Sequence, residues 1–167
     1  MIHRIPLACS VAAALMVAAT PTLAGDDPLA SGPSIVGAWE VIMTVRQNAA
    51  DCATAEPVPF GPNPFPALYT FHEGGTVSET GSRSPPSNRS PGHGIWQREK
   101  QRDFGVRVKF QLFDANGLLS NFMDIRPVVS LSKDGSTFRA VGRLLFSDVS
   151  GNAMPFCHTL EGTRITL

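Results

Sequence analysis

The chain has no surplus of either charge. Its 14 lysines and arginines balance 14 aspartates and glutamates over 167 residues. That removes the basic face that a polyanion partner such as nucleic acid requires. Catalytic signatures are missing as well. There is no Gly-x-Ser-x-Gly and no His-Glu-x-x-His, so neither a hydrolase nucleophile elbow nor a two-histidine zinc helix is present. No segment carries the 3.6-residue period of an amphipathic helix. Cysteine is scarce, with only Cys9, Cys52 and Cys157. Beyond residue 24 no run is apolar enough to span a bilayer.

What is present begins with an address. The first residues, MIHRIPLACSVAAALMVAATPTLAG, hold Arg4, an apolar run from Leu7 to Ala19 and the small-residue end Thr22-Leu23-Ala24. That is the layout of a secretory signal peptide, with cleavage expected after Ala24. Cys9 falls near the start of the apolar run and not after it, so it is not placed as a lipoprotein cysteine. Residues 25–35 are expected to form a flexible N-terminal segment and residues 36–167 one folded domain. The mature chain of 143 residues (167 minus 24) is long enough for a real core. The expected location is secreted or periplasmic. Cys52 and Cys157 then remain, and an even pair in an exported protein reads as a disulfide. The alternative, two free thiols with one nucleophilic, has no Cys-x-x-Cys or Cys/His motif behind it.

Residues alternate apolar and polar nearly throughout. In DFGVRVKFQLFD, Phe104, Val106, Val108, Phe110 and Leu112 share one face, with Arg107, Lys109 and Gln111 on the other. Trp39, Val41, Met43 and Val45 alternate likewise, as do Met123, Ile125, Val129 and Leu131, and Phe138, Ala140, Leu144 and Phe146. Half-buried antiparallel strands show this pattern. Turn signals HEGG, DANG, SKDG and SDVSGN separate the runs. The pattern predicts eight strands, near 36–46, 67–72, 75–81, 93–99, 103–113, 118–131, 136–147 and 153–165. Sequential hairpins predict an all-β, eight-stranded antiparallel up-and-down barrel, since closure removes the edges. In such a barrel the last strand runs antiparallel to the first. Cys157 then meets Cys52 at one end and Arg164 meets Trp39 at the other. Trp39 would plug a closed end, with Gly37 letting the backbone bend in beside it and Arg164 stacked on the indole.

Gly37-Ala38-Trp39 at the start of the first strand, with Arg164 near the end of the last, resembles the signature of the calycin superfamily, which includes lipocalins, fatty-acid-binding proteins and avidins. The layout is also similar to small bacterial secreted proteins described as lipocalin-like. The resemblance covers the mature chain as architecture and implies a barrel around an interior site. The C-terminal helix and second conserved motif of classical lipocalins are missing here, so no ligand class carries over.

Hairpin order sends both long connections, 47–66 and 82–92, to one end, and leaves tight turns at the other. That predicts a cup. Val41, Met43, Val108 and Phe110 are candidates for holding an apolar tail. Phe60 and Phe65, in a proline-rich loop, are candidates for a lid, and Arg83, Arg89 and His93 for meeting a polar head group. The inward faces read as nearly all apolar, with no buried acid/base pair for hydrolysis. No cofactor or metal is expected, because His72, His93 and His158 fall on different elements. The expected partner is a small apolar or amphipathic ligand. The alternatives are a barrel filled by its own side chains, serving structure or interaction, and then a barrel cyclase or isomerase similar in architecture to allene oxide cyclase and dirigent proteins. Nothing in the sequence sets an oligomeric state.

Overall fold

The computed structural model describes residues 32–167. The signal peptide expected over 1–24 and most of the 25–35 segment lie outside the described residues.

Eight strands follow one another: β1 (Gly37–Arg46), β2 (Phe65–Phe71), β3 (Thr76–Gly81), β4 (Gly92–Arg98), β5 (Asp103–Phe113), β6 (Leu119–Leu131), β7 (Thr137–Asp148) and β8 (Ala153–Arg164). One short 3-10 turn, Pro86–Asn88, interrupts the connection from β3 to β4. Each strand pairs with its neighbour in sequence, and β8 pairs with β1, so the barrel is closed and up-and-down. β2 starts at Phe65, ahead of the expected 67, because Pro66 is accommodated at the strand's beginning, where a missing N–H is tolerated. Among the described residues no helix is long and apolar enough to cross a membrane.

The inward faces of one end form a packed floor. Trp39, Phe71, Phe104 and Phe138 are all at most 2 % exposed. The Trp39 and Phe138 rings lie 5.0 Å apart, and Trp96 meets Phe104 edge-on at 5.8 Å. Tilted and edge-on contacts of this kind suit aromatic quadrupoles. The Trp39 indole Nε1 donates to the Ile35 carbonyl at 3.0 Å, and Ile35 is fully buried, so residues just ahead of β1 belong to the floor. Arg164 covers the indole at 4.2 Å. Its three nitrogens donate to the carbonyls of Gly135, Val36 and Ser34 at 2.8, 2.7 and 2.6 Å. One side chain thereby ties the N-terminal approach, the β6–β7 turn and the tryptophan together. Gly37 has φ 134°, and a Cβ there would come within 2.6 Å of the Arg164 guanidinium. Only glycine combines that backbone with that neighbour.

At the other end the long connection from β1 to β2 is fastened at several points. Cys52 and Cys157 form a disulfide, with Cα atoms 5.0 Å apart. Arg143 of β7 donates to Asn48 Oδ1 at 2.7 Å and to the Ala49 carbonyl at 2.8 Å. The Asn63 side chain bonds both the N–H and the C=O of Val45, taking the place of a strand partner.

Candidate functional site

Strand alternation turns Met43 and Val45 of β1, Phe65 of β2, Phe110 of β5, Met123 and Ile125 of β6, Leu144 of β7 and Phe156 of β8 toward the axis at the looped end. They enclose a cavity of about 240 Å³. The inward phenylalanines of β5 and β7 divide by level. Phe104 and Phe138 are buried in the floor, while Phe110 and Phe146 line the cavity. The interior is therefore solid below and hollow above.

The wall of the cavity carries an ion pair. β3 alternates Val77, Glu79 and Gly81 inward, and Glu79 is 3 % exposed. Arg89, on the connection to β4, sends its side chain back into the barrel. Its Nη2 donates to Glu79 Oε2 at 2.6 Å and its Nη1 to Oε1 at 3.3 Å and to the Gly81 carbonyl at 3.2 Å. Nε donates to the Ser90 carbonyl at 3.1 Å, and the guanidinium lies 3.9 Å from the centre of the Phe110 ring. Gly81 and Gly92 make room for this pair. A Cβ on Gly92 would run into the Glu79 carboxylate, and one on Gly81 would sit 2.9 Å from Oε1 and 3.0 Å from Arg89 Nη1. Burial raises the Glu79 pKa, while its bonds to Arg89 oppose the rise. Tyr69 stands opposite Glu79 in the β2–β3 register, with a buried hydroxyl that has no hydrogen-bond partner. Burial first, and the Glu79 charge second, push the Tyr69 pKa well above 10.0.

The inner face, expected to be nearly all apolar and without an acid/base pair, thus carries one buried ion pair. The pair is not an acid/base couple, since arginine does not give up its proton in proteins. The alternation Val77-Glu79-Gly81 was the available signal for Glu79. The return of Arg89 from a loop had none.

The other expected residues distribute as follows. Met43, Phe60, Phe65, Arg83, Arg89 and Phe110 all border the cavity. Val41 and Val108 are buried in the core but do not border it. Arg83 lies 5.6 Å from the centres of both the Phe60 and Phe65 rings, and donates to the Phe60 and Pro62 carbonyls at 2.8 and 2.7 Å. It holds the 60–62 turn against the rim. His93 is not at the mouth. It stands exposed on the outer face of β4, because Gly92, Gly94 and Trp96 take the inward positions. His158 faces the interior, fully buried, with neither ring nitrogen hydrogen-bonded. Burial lowers its pKa to about 4. Among the described residues no three His, Cys, Asp or Glu are grouped to hold a metal ion.

A larger but more open hollow, of about 1040 Å³, lies outside the wall along β7, β8, β1, β2 and β3. Glu40, Ile42, Leu68 and Glu161 there are exposed, as outer-face residues should be. The interior cavity is the better candidate, because it alone combines enclosure with a buried charged pair.

No protein family, curated protein or solved structure matches the chain. Fold and site together define a closed eight-stranded barrel, floored at one end and hollow at the other.

Proposed function

We propose that the chain is an exported, calycin-like binding barrel that holds a small apolar or amphipathic ligand in the cavity at its looped end. The observation that carries this reading is the 240 Å³ interior space walled by Met43, Phe65, Phe110 and Phe156. Apolar walls with a few placed polar groups characterise small-molecule sites. A barrel filled by its own side chains would leave no such space. The Cys52–Cys157 disulfide supports export, since such bonds persist in oxidising compartments. The Trp39–Arg164 stack beside Gly37 supports the calycin likeness. Phe60 and Arg83 line the cavity and, in this reading, limit access to it.

The test is a naphthalene probe whose fluorescence reports apolar surroundings. Wild type is expected to bind it at micromolar concentration. Met43→Trp, which fills the cavity from β1, is expected to abolish binding while the fold is retained by circular dichroism. Unchanged binding to a folded Met43→Trp protein would place the probe elsewhere and sink the reading.

A further inference from the structure

The volume and the polar chemistry of the cavity together narrow what it accepts. Resting on the cup reading above, we propose that the occupant is a compact neutral molecule, about the size of one substituted ring, carrying a hydroxyl that docks on the Glu79–Arg89 pair.

Size comes first. An engineered cavity of about 150 Å³ in another protein takes benzene. At about 240 Å³ this one has room for a ring with a short substituent. Sites for larger ligands begin near 300 Å³. Met43 and Met123 in the wall can adjust their side chains to different ring shapes, as methionine does in irregular spaces. Shape selection is therefore loose, and selectivity falls to the polar groups.

Charge comes second. Arg89 is a buried cation, but Glu79 neutralises it at 2.6 Å, and both side chains are nearly inaccessible, at 6 % and 2 %. A carboxylate ligand would leave water for a pair with no net charge and would face the Glu79 carboxylate. That desolvation finds no counter-charge. Arg83, the other cation bordering the space, is already committed to the Phe60 and Pro62 carbonyls. Among the described residues, an anionic head group therefore has no unpaired cation to meet within the cavity.

Hydrogen-bonding capacity comes third. A guanidinium has five N–H donors. Four of Arg89's are donated, one to Ser90, one to Gly81 and two to Glu79. The fifth has no partner among the described residues. Each Glu79 oxygen accepts one bond from Arg89 and keeps further lone-pair capacity. The pair, which lines the cavity, thus keeps one unused donor and spare acceptor capacity. A hydroxyl uses both, accepting from Arg89 while donating to Glu79. A ketone or ether uses only the donor, and a hydrocarbon uses neither.

The experiment compares three probes of matched shape by calorimetry on the purified protein at pH 7: 4-propylphenol, propylbenzene and 4-propylbenzoate. Wild type is expected to bind the phenol about tenfold tighter than propylbenzene, the gain of hydrogen bonding to charged groups, and the benzoate at least tenfold more weakly than the phenol. Glu79→Gln leaves the Arg89 charge unneutralised, so the benzoate should gain at least tenfold and become the preferred probe. The double variant Glu79→Leu, Arg89→Met should bind the phenol and propylbenzene within about threefold of each other; it keeps the question decidable if Glu79→Gln does not fold, because replacing both members of a buried pair is often tolerated. Benzoate binding wild type as tightly as the phenol, or a phenol preference surviving the double variant, overturns the inference. Propylbenzene binding as well as the phenol overturns it too, while leaving the cup reading intact. If no probe binds at millimolar concentration, the cup reading itself fails and this inference falls with it.

Discussion

Trp39 is the most constrained side chain of the floor. Its indole is wholly buried, its N–H is satisfied by Ile35, one face meets Phe138 and Arg164 lies over the ring. Removing it would leave a large void and release Arg164 from its stacking surface. Trp39→Ala is expected to lower unfolding free energy by about 3–5 kcal/mol, as large-to-small aromatic changes in cores do. Urea denaturation measures this, and a midpoint close to wild type would contradict the floor's dependence on the ring. His158 is a residue-scale liability of another kind. In the folded chain it stays neutral until about pH 4, against an ordinary value of 6.5, because burial disfavours the imidazolium. Between those two values the unfolded chain binds a proton that the folded chain refuses. Stability therefore falls as pH drops from 6.5 to about 4 and levels off, for this group, below that. The loss is about 3 kcal/mol. Comparing wild type with His158→Leu by denaturation at pH 7 and pH 4.5 isolates the histidine. Equal pH slopes for the two proteins would refute the assignment.

At the scale of elements, the barrel's two ends differ in how their connections are held. The floor uses tight turns. The Asp134 carboxylate, for instance, accepts from the Ser132 and Ser136 hydroxyls at 2.6 and 2.8 Å and fixes the β6–β7 turn. Those bonds hold its pKa down to about 2. The rim instead has a long β1–β2 connection that cannot hold itself, and so it is fastened to β7 by Arg143 and to β8 by the disulfide. The bridge closes a loop of 105 residues. Replacing both cysteines by alanine is expected to cost about 2–4 kcal/mol, because the unfolded chain regains the freedom the bridge removes. Equal stability of the double variant and the oxidised wild type would show that the connection is held by its hydrogen bonds alone. The outer wall has a corresponding device. Asp124 of β6 accepts from Arg107 and Arg126, each closest contact being 2.7 Å, across the solvent face. Its burial pushes the carboxyl pKa up, but the Arg126 and Arg107 hydrogen bonds prevail and hold it well below the usual carboxylate range.

For the whole molecule, closure and asymmetry are the two organising facts. Pairing β8 with β1 leaves no exposed edge for another chain to extend. Bulky rings fill the interior near the floor. Toward the rim, Met43, Val45, Met123 and Leu144 do not meet across the axis, and the space between them is the cavity. The charged pair sits in the wall of this hollow half. An ion pair stripped of water is a weak source of stability compared with a hydrophobic replacement. Its position beside the cavity is the basis of the proposed recognition.

Much of this architecture follows from local chemistry. Period-two alternation and Gly/Asp/Asn turn residues determine the strands. Their order in sequence determines the hairpins. Closure of an even meander brings Cys52 to Cys157, and the disulfide forms there. Parity failed where apolar residues are adjacent. In GHGIWQR both Ile95 and Trp96 compete for the inside; Trp96 takes it, and Ile95 and His93 face solvent. Only the tertiary structure decided the candidate site. Arg89 lies in a loop, where no periodicity says which way a side chain turns, and it enters the barrel because Glu79 is there to receive its charge. The cavity is beyond any local pattern for a different reason. Its volume is a small residue left between two large quantities, the space that eight strands enclose and the space their inward side chains fill, and that difference exists only once the barrel has closed.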